Sequence, residues 1–530
     1  MNLTSRQHRW IYLIALSLVA IGLPFSVFLI SVGEILLILN FIAEGRWNER
    51  IDRLKNEPTI WFFVGFYLLH VVGLIWTNDL GFGLITLRTR LPLLIFPIII
   101  PLSQRLKRVE FLWIAAIFSA AVIAASIVSM VMYFNLKDIP GFNYREISIF
   151  TSHIRYSLMV CLSYIILLNC AWNEEKKAWL RVAYIILAIW LSVFIFILQS
   201  MTGIVVWLLC SYMLLFYTLF HLKNNFWRIS GSTILWVTPL FVFLYLAFQI
   251  DNFYPDKQAD FSHLETISAA DEYYSHDTTN LTLENGNYVN IYISPLELQR
   301  EWDQVSNIPY VKGKDAKGQF IYTTIIRYMT SKGLRKDSIG FSQLTQEDIS
   351  AIEHGTANVR FLYGNALDNR IYTVIWEFDK MMQEQMVQGH SVTQRFEFWT
   401  TGWHIFKEHV LFGVGTGDIK TSYHEMYDRL DSNLSEKHRL RAHNQFLSIL
   451  ISFGVFGFLL FALSVIWPFI SIPNANSFLY IGFAIIIFAS MFNEDTLDTQ
   501  VGVTLYAMFN SLLLYSLTGI ARKTAQNAKD

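Results

Sequence analysis

Long apolar runs alternate with short charged connectors over most of the 530 residues. A helix that crosses hydrocarbon needs about 20 mainly apolar residues. Runs of that kind fall near 9–23, 25–43, 59–77, 88–104, 111–134, 153–172, 179–199, 202–221, 227–250, 444–469, 476–492 and 502–520. The pattern predicts an all-α polytopic membrane protein with about twelve transmembrane helices. The first two runs share one apolar stretch, broken at Gly22-Leu23-Pro24, and they follow each other without a cleavable signal pattern. The first run is therefore expected to be a retained span.

One polar segment interrupts the series. The chain thus divides into 1–250 with nine spans, 251–443 as a large, mainly helical domain, and 444–530 with three spans. Within the polar segment, 366–388 reads as a helix opening at Leu367-Asp368. A second helix is expected over 393–411, with Ser391 and Gln394 at capping-box spacing before it and Gly413 after it. Residues 251–320 are rich in Asp, Asn, Tyr and Thr and give no assignable pattern. No internal repeat and no low-complexity tract stands out.

Composition agrees with a membrane class. Charged residues make up 16% of the chain, against about 25% in soluble domains. A net charge of −1 argues against a nucleic-acid partner, which would require a basic face. Cys161, Cys170 and Cys210 all lie in apolar runs and are expected to be small buried hydrophobes.

Lysine and arginine in short connectors orient the spans. With the N-terminus in the cytoplasm, seventeen of them fall on the cytoplasmic side, among them Lys176, Arg522, Lys523 and Lys529. The short outer connectors hold five, namely Arg88, Arg90, Lys137, Arg145 and Arg155. This asymmetry puts both termini inside and 251–443 outside. Near span centres the ionisable residues are Glu34 and His70, which are expected to hydrogen-bond within the bundle. Such scarcity disfavours a proton-coupled transporter and favours chemistry at the outer membrane face.

The outer cations suggest what that chemistry is. Arg88 and Arg90 open the fourth span, Arg155 opens the sixth, Arg395 begins the 393–411 helix, and Arg439 and Arg441 precede the tenth span. Guanidinium groups hold phosphate oxygens in a bidentate fork, so their convergence would make a pyrophosphate site. The plain alternative is that each arginine anchors a helix end at the interface. Arg395 and Trp399 are one helical turn apart, which allows a cation–π contact. Gly413, Gly415 and Gly417 allow tight turns and close approach to a ligand. No strand precedes them, so a dinucleotide-binding loop is rejected. His443 stands where the chain re-enters the membrane, next to Asn444. A neutral imidazole there can take a proton from a hydroxyl, and a helix-capping His-Asn pair is the alternative. Asp418, Glu494 and Asp495 are possible helpers, with solvated loop acids as the plainer reading.

The order Arg395-x-x-x-Trp399, Gly413-x-Gly415-x-Gly417-Asp418, His443-Asn444-x-x-Leu447 and Gly454-x-x-Gly457 resembles the O-antigen ligase and polymerase superfamily of bacterial inner membranes. The likeness covers about 393–460 and extends weakly to Pro92, Pro97 and Ser152-His153-Ile154-Arg155-Tyr156. The large polar insert is similar to that of ligase-family proteins of Bacteroidetes-type bacteria. A Ser-x-Arg-Gly-like motif found in many members reads Ser200-Met201-Thr202-Gly203 here, so a cation present in relatives is missing.

The resemblance implies an inverting, metal-independent glycosyltransferase that needs no cofactor and works on the periplasmic side of the inner membrane. The donor would be a glycan on undecaprenyl pyrophosphate. The acceptor would be a lipid A–core sugar hydroxyl, or, as alternatives, a growing glycan (polymerase) or a protein hydroxyl. A flippase of lipid-linked glycan is the reading from another class. In the ligase reading His443 and Arg395 are catalytic. Arg88, Arg90, Arg155 and Arg441 bind pyrophosphate, and Trp399, Gly415, Gly417 and Asn444 support them.

Overall fold

The computed structural model describes residues 3–137, 144–174, 177–254, 261–364, 366–383, 391–432, 434–473 and 477–516. Lys176, Arg522, Lys523 and Lys529 lie outside the described residues, as does the Ser391 side chain. The chain forms two compact units, one of residues 1–223 with 397–530, the other of residues 224–396.

The first unit is a helical bundle. It contains α1 (Ser5–Phe25), α2 (Val27–Glu44), α3 (Trp47–Asn56), α4 (Thr59–Val72), α5 (Leu80–Thr89), α6 (Pro92–Leu102), α7 (Arg108–Leu136), α8 (His153–Asn169), α9 (Ala178–Ile197) and α10 (Met201–Phe220). The second unit holds α11 (Asn225–Asp251), α12 (Pro295–Val305), α13 (Ile321–Ser331), α14 (Ser338–Phe341), α15 (Gln346–Glu353), α16 (Arg360–Tyr363) and α17 (Ala366–Met382). Helix α18 (Ser391–Glu408) carries the chain out of the second unit. The bundle resumes with α19 (Ile419–Arg429), α20 (Gln445–Ser471), α21 (Phe478–Met491) and α22 (Gln500–Tyr515).

Among the described residues, nine helices are long and apolar enough to cross a membrane, with α5 and α6 counted as one span. The other expected spans are present as shorter apolar helices, α4, α21 and α22. Three boundaries differ from the sequence reading. The first two helices part at Ser26, whose side chain caps α2, rather than at Gly22-Leu23-Pro24. The run 59–77 stops being helical at Gly73, and beyond it the Asp418 carboxylate accepts from the backbone of Asn78 and Asp79. The expected span 88–104 starts earlier, at Leu80, and breaks at Arg90-Leu91 before Pro92, which lacks the N–H that a continuous helix would use.

The bundle is organised around α22. Every residue from Val501 to Tyr515 is buried, against α1, α2, α6, α8 and α21. A helix apolar on all sides belongs at the centre of a bundle rather than at its lipid-facing rim. Glu34 accepts from Thr504 Oγ1 at 3.0 Å, and His70 Nδ1 is 2.8 Å from the Phe66 carbonyl. Both are thus hydrogen-bonded inside the bundle, as expected. Cys161 and Cys210 are buried free thiols, and Cys170 is a half-buried one.

The second unit has its own core, with Trp302, Ile321, Ile325, Tyr328 and Ile352 fully buried. The stretch that resisted assignment contains a two-stranded hairpin, Leu283–Glu284 with Asn287–Tyr288. Its turn is Asn285-Gly286, both at positive φ, the pair that fits a tight hairpin turn. The hairpin delivers Glu284 to a buried network in which Arg327 Nε, Asn358 Nδ2 and Tyr372 Oη all donate to its carboxylate.

Candidate active site

Helix α20 is the scaffold of the site. Asn444 caps it, its side-chain oxygen accepting from Leu447 N at 3.1 Å, while Asn444 Nδ2 donates to the Phe492 carbonyl. The helix kinks at Gly454, which has φ 61°. The carbonyls of Ile451 and Ser452 then turn outward and accept from Val414 N and Gly415 N, each at 2.9 Å. The glycine-rich segment is therefore laid along the kink, and its glycines approach protein backbone. A Cβ on Gly413 would stand 2.3 Å from Phe453 N, one on Gly415 2.5 Å from Thr77 Oγ1, and one on Gly417 2.1 Å from the Asp79 carbonyl. Asp418 finishes this segment. Its oxygens accept from Asn78 N, Asn78 Nδ2 and Asp79 N at 2.8–3.0 Å. Asp418 is a buried stitch and not a solvated loop acid.

The loop 492–499 between α21 and α22 gathers the cations. Asp498 is buried at its centre. Arg441 Nη1 donates to its Oδ2 at 2.6 Å, and Arg90 Nη2 donates to its Oδ1. Arg155 Nε donates to Thr499 Oγ1 at 2.6 Å. The loop is fastened to α20 by Leu497 N donating to Gln445 Oε1 at 2.7 Å and by Ser448 Oγ donating to Asp495 Oδ1 at 2.6 Å. Burial alone would push the Asp498 carboxyl up, but Arg90 and Arg441 outweigh it and hold it well below the usual range. Asp495 behaves in the opposite way, raised first by burial and then by the charge of Asp498. Two guanidinium groups thus face one firmly ionised carboxylate.

His443 stands beside this cluster with its side chain 35% exposed, its Nδ1 3.7 Å from Glu494 Oε2. Its backbone is in the left-handed region, φ 46°. A side chain held there without a glycine's freedom marks a strained position. Trp399 Nε1 donates to the Ala442 carbonyl at 2.8 Å, tying α18 to the residue before His443. Glu494 and Asp495, expected as solvated acids, are buried.

Arg90, Arg155, Arg441, His443 and Asn444 are thus all brought to loop 492–499. Arg88 is exposed at the end of α5 and does not join them. Arg395 lies half-buried near the start of α18, one helical turn before Trp399. Arg439 turns to Asp428 instead. Sequence reasoning missed Asp498, Thr499, Gln445 and Ser448. Their signal was a cluster of acids between two apolar runs, which is costly unless the acids have partners.

This end of the bundle combines clustered cations with an imidazole whose far side faces a carboxylate. Such an arrangement is chemically suited to holding an anion and taking a proton next to it. A family model described as O-Antigen ligase matches residues 357–462, which include the glycine-rich segment, His443 and the Gly454 kink. No curated protein matches the chain.

Proposed function

Starting from that O-antigen ligase match, we propose that the chain is an inverting glycosyltransferase of the inner membrane with its active site facing the periplasm. It moves a glycan from undecaprenyl pyrophosphate to a sugar hydroxyl of lipid A–core. The observation that carries the reading is the convergence of Arg90, Arg441 and Arg155 on loop 492–499 beside His443.

The chemistry follows from the leaving group. The acceptor oxygen attacks the anomeric carbon as the bond to the pyrophosphate oxygen breaks. The lipid pyrophosphate departs with the bonding electrons, so it needs charge compensation more than a proton. The guanidinium groups supply that compensation where the charge develops. The acceptor hydroxyl loses its proton to His443 Nε2. Glu494, on the Nδ1 side, favours the imidazolium that results. Attack opposite the leaving group inverts the anomeric configuration. Arg395 is assigned to the same pyrophosphate on the strength of its position in the motif.

Deleting the gene and examining the lipopolysaccharide tests this reading. Loss of all capped core, restored by the wild-type gene and not by His443→Ala or Arg441→Ala, is the expected result. Core bearing a single repeat would replace the reading with a polymerase, and normal lipopolysaccharide with altered glycoproteins would replace it with a protein-glycosylating enzyme.

A further inference from the structure

One concavity on the bundle has no residue of loop 492–499 in its lining. It is a cavity of about 700 Å³ whose walls include Trp76, Asp79, His409, Asp418, Ser422 and Glu425. Its size is that of a small-molecule site. Asp418 is consumed by the loop it stitches, but the other side chains offer an indole, two carboxylates, an imidazole and a hydroxyl around one space. Trp76 Nε1 is buried and makes no hydrogen bond among the described residues. A buried donor left unpaired costs about 1–3 kcal/mol.

We propose that this cavity is a saccharide subsite, and the assignment rests on the glycosyl-transfer reading above. A pyranose has an apolar C–H face and a rim of hydroxyls that both donate and accept. An indole matches the face. Carboxylate, imidazole and hydroxyl groups match the rim. Neutral hydroxyls suit this lining better than phosphate does, because Asp79 and Glu425 repel anions.

Its place suits a glycan already held at the reaction centre. His409 directly follows α18, and Trp399, ten residues earlier, is hydrogen-bonded next to His443. At about 1.5 Å per residue the cavity lies on the order of 15 Å along the helix from the catalytic histidine. A sugar bound there does not react. It anchors the remote part of a saccharide whose reacting end reaches His443.

Equilibrium binding on the full-length protein in nanodiscs tests this, with two lipid-free probes. One is the core oligosaccharide and the other the oligosaccharide of the transferred glycan, neither bearing pyrophosphate. At least one should bind. Trp76→Ala should weaken that binding about 10-fold or more, while Trp76→Phe keeps most of it. Binding of the core probe places the acceptor in the cavity, and binding of the other probe places the donor glycan there. If Trp76→Ala does not fold, His409→Ala and Glu425→Gln, at exposed positions, carry the test with an expected loss of about 3- to 10-fold. Absence of binding by both probes overturns the proposal. So does an affinity that none of these substitutions moves, which would leave Trp76 an interfacial anchor. Since the assay needs no turnover, a protein that binds saccharide normally but transfers no glycan would refute the transfer reading separately.

Discussion

Arg441 donates to one oxygen of the Asp498 carboxylate at 2.6 Å, across a half-exposed surface, while the carboxylate itself is buried. Arg90 takes the other oxygen from deeper in the bundle. One acid therefore sets the positions of two cations that come from opposite ends of the sequence.

Removing that acid should be costly. Asp498→Ala leaves Arg90 buried without its partner, a change that destabilises by about 3–5 kcal/mol. Asp498→Asn keeps the shape and part of the hydrogen bonding and should lose less stability. Thermal unfolding of both variants checks this, and a cycle with Arg90→Met should recover part of the loss because the two residues act as a unit. Additive losses in the cycle would mean that the pair is not coupled.

Arg395→Ala should lower transfer roughly 30- to 1000-fold, the effect of losing about 2–4 kcal/mol of charge stabilisation in the transition state. Arg395→Lys should restore little, because an ammonium group does not replace a planar fork. Single-turnover rates with both variants decide the matter. A lysine enzyme near the wild-type rate excludes bidentate recognition at this residue.

His443 allows catalysis to be separated from backbone strain. Its φ of 46° favours glycine, so His443→Gly should keep or gain stability, by up to about 1 kcal/mol, yet abolish transfer. His443→Gln retains hydrogen bonding without a base of comparable strength and should also be inactive. Melting temperature and turnover measured side by side provide the check. A fully active Gln variant would make His443 structural and direct attention to Asp495 or Glu494.

The glycine-rich segment should fail through packing. The Gly417→Ala Cβ would lie 2.1 Å from the Asp79 carbonyl, and Gly415→Ala would add left-handed strain at φ 96°. Both should cost more than about 1–3 kcal/mol and reduce the yield of folded protein, before any effect on substrate affinity. Normal folding with weakened donor binding would return these glycines to a ligand-contact role.

In the second unit, burial lowers the Lys336 ammonium from 10.5 to about 8, with Asp337 opposing the shift. The folded chain therefore releases this proton before the unfolded chain does. Stability contributed here is at its lowest below pH 8 and rises as pH climbs from about 8 to 10.5. Lys336→Met should flatten that rise and add on the order of 1–3 kcal/mol at pH 7. Unfolding of the full chain at pH 7, 8.5 and 10 checks the sign.

The apolar segments were legible because burying a charge in hydrocarbon is so costly that spans advertise themselves. The break at Arg90-Leu91 was not, since an arginine at a span end reads equally well as an interfacial anchor. Arginines in connectors expected to face outward singled out Arg90, Arg155 and Arg441, whose side chains hydrogen-bond to Asp498 or Thr499. Asp498 and Asp418 were misjudged or missed for a single reason. A loop acid reads as solvated until its packing is known, and both are buried by residues more than 50 positions away, Asp498 by Arg441 and Arg90 and Asp418 by Asn78. The periodicity of the glycines predicted close approach, and only the kink at Gly454 shows that the approach is to backbone.

The fully enclosed helix Val501–Tyr515 has a bearing on biosynthesis. The ribosome delivers it after the helices that surround it, so those helices wait around an unfilled middle until it arrives. The loop carrying Asp498 and Thr499 is its leading edge. A nascent chain stalled before residue 498 thus holds Arg90 and Arg441 without the acid that aims them. The pairing of these arginines with their acid is therefore among the last contacts of the bundle to form during synthesis.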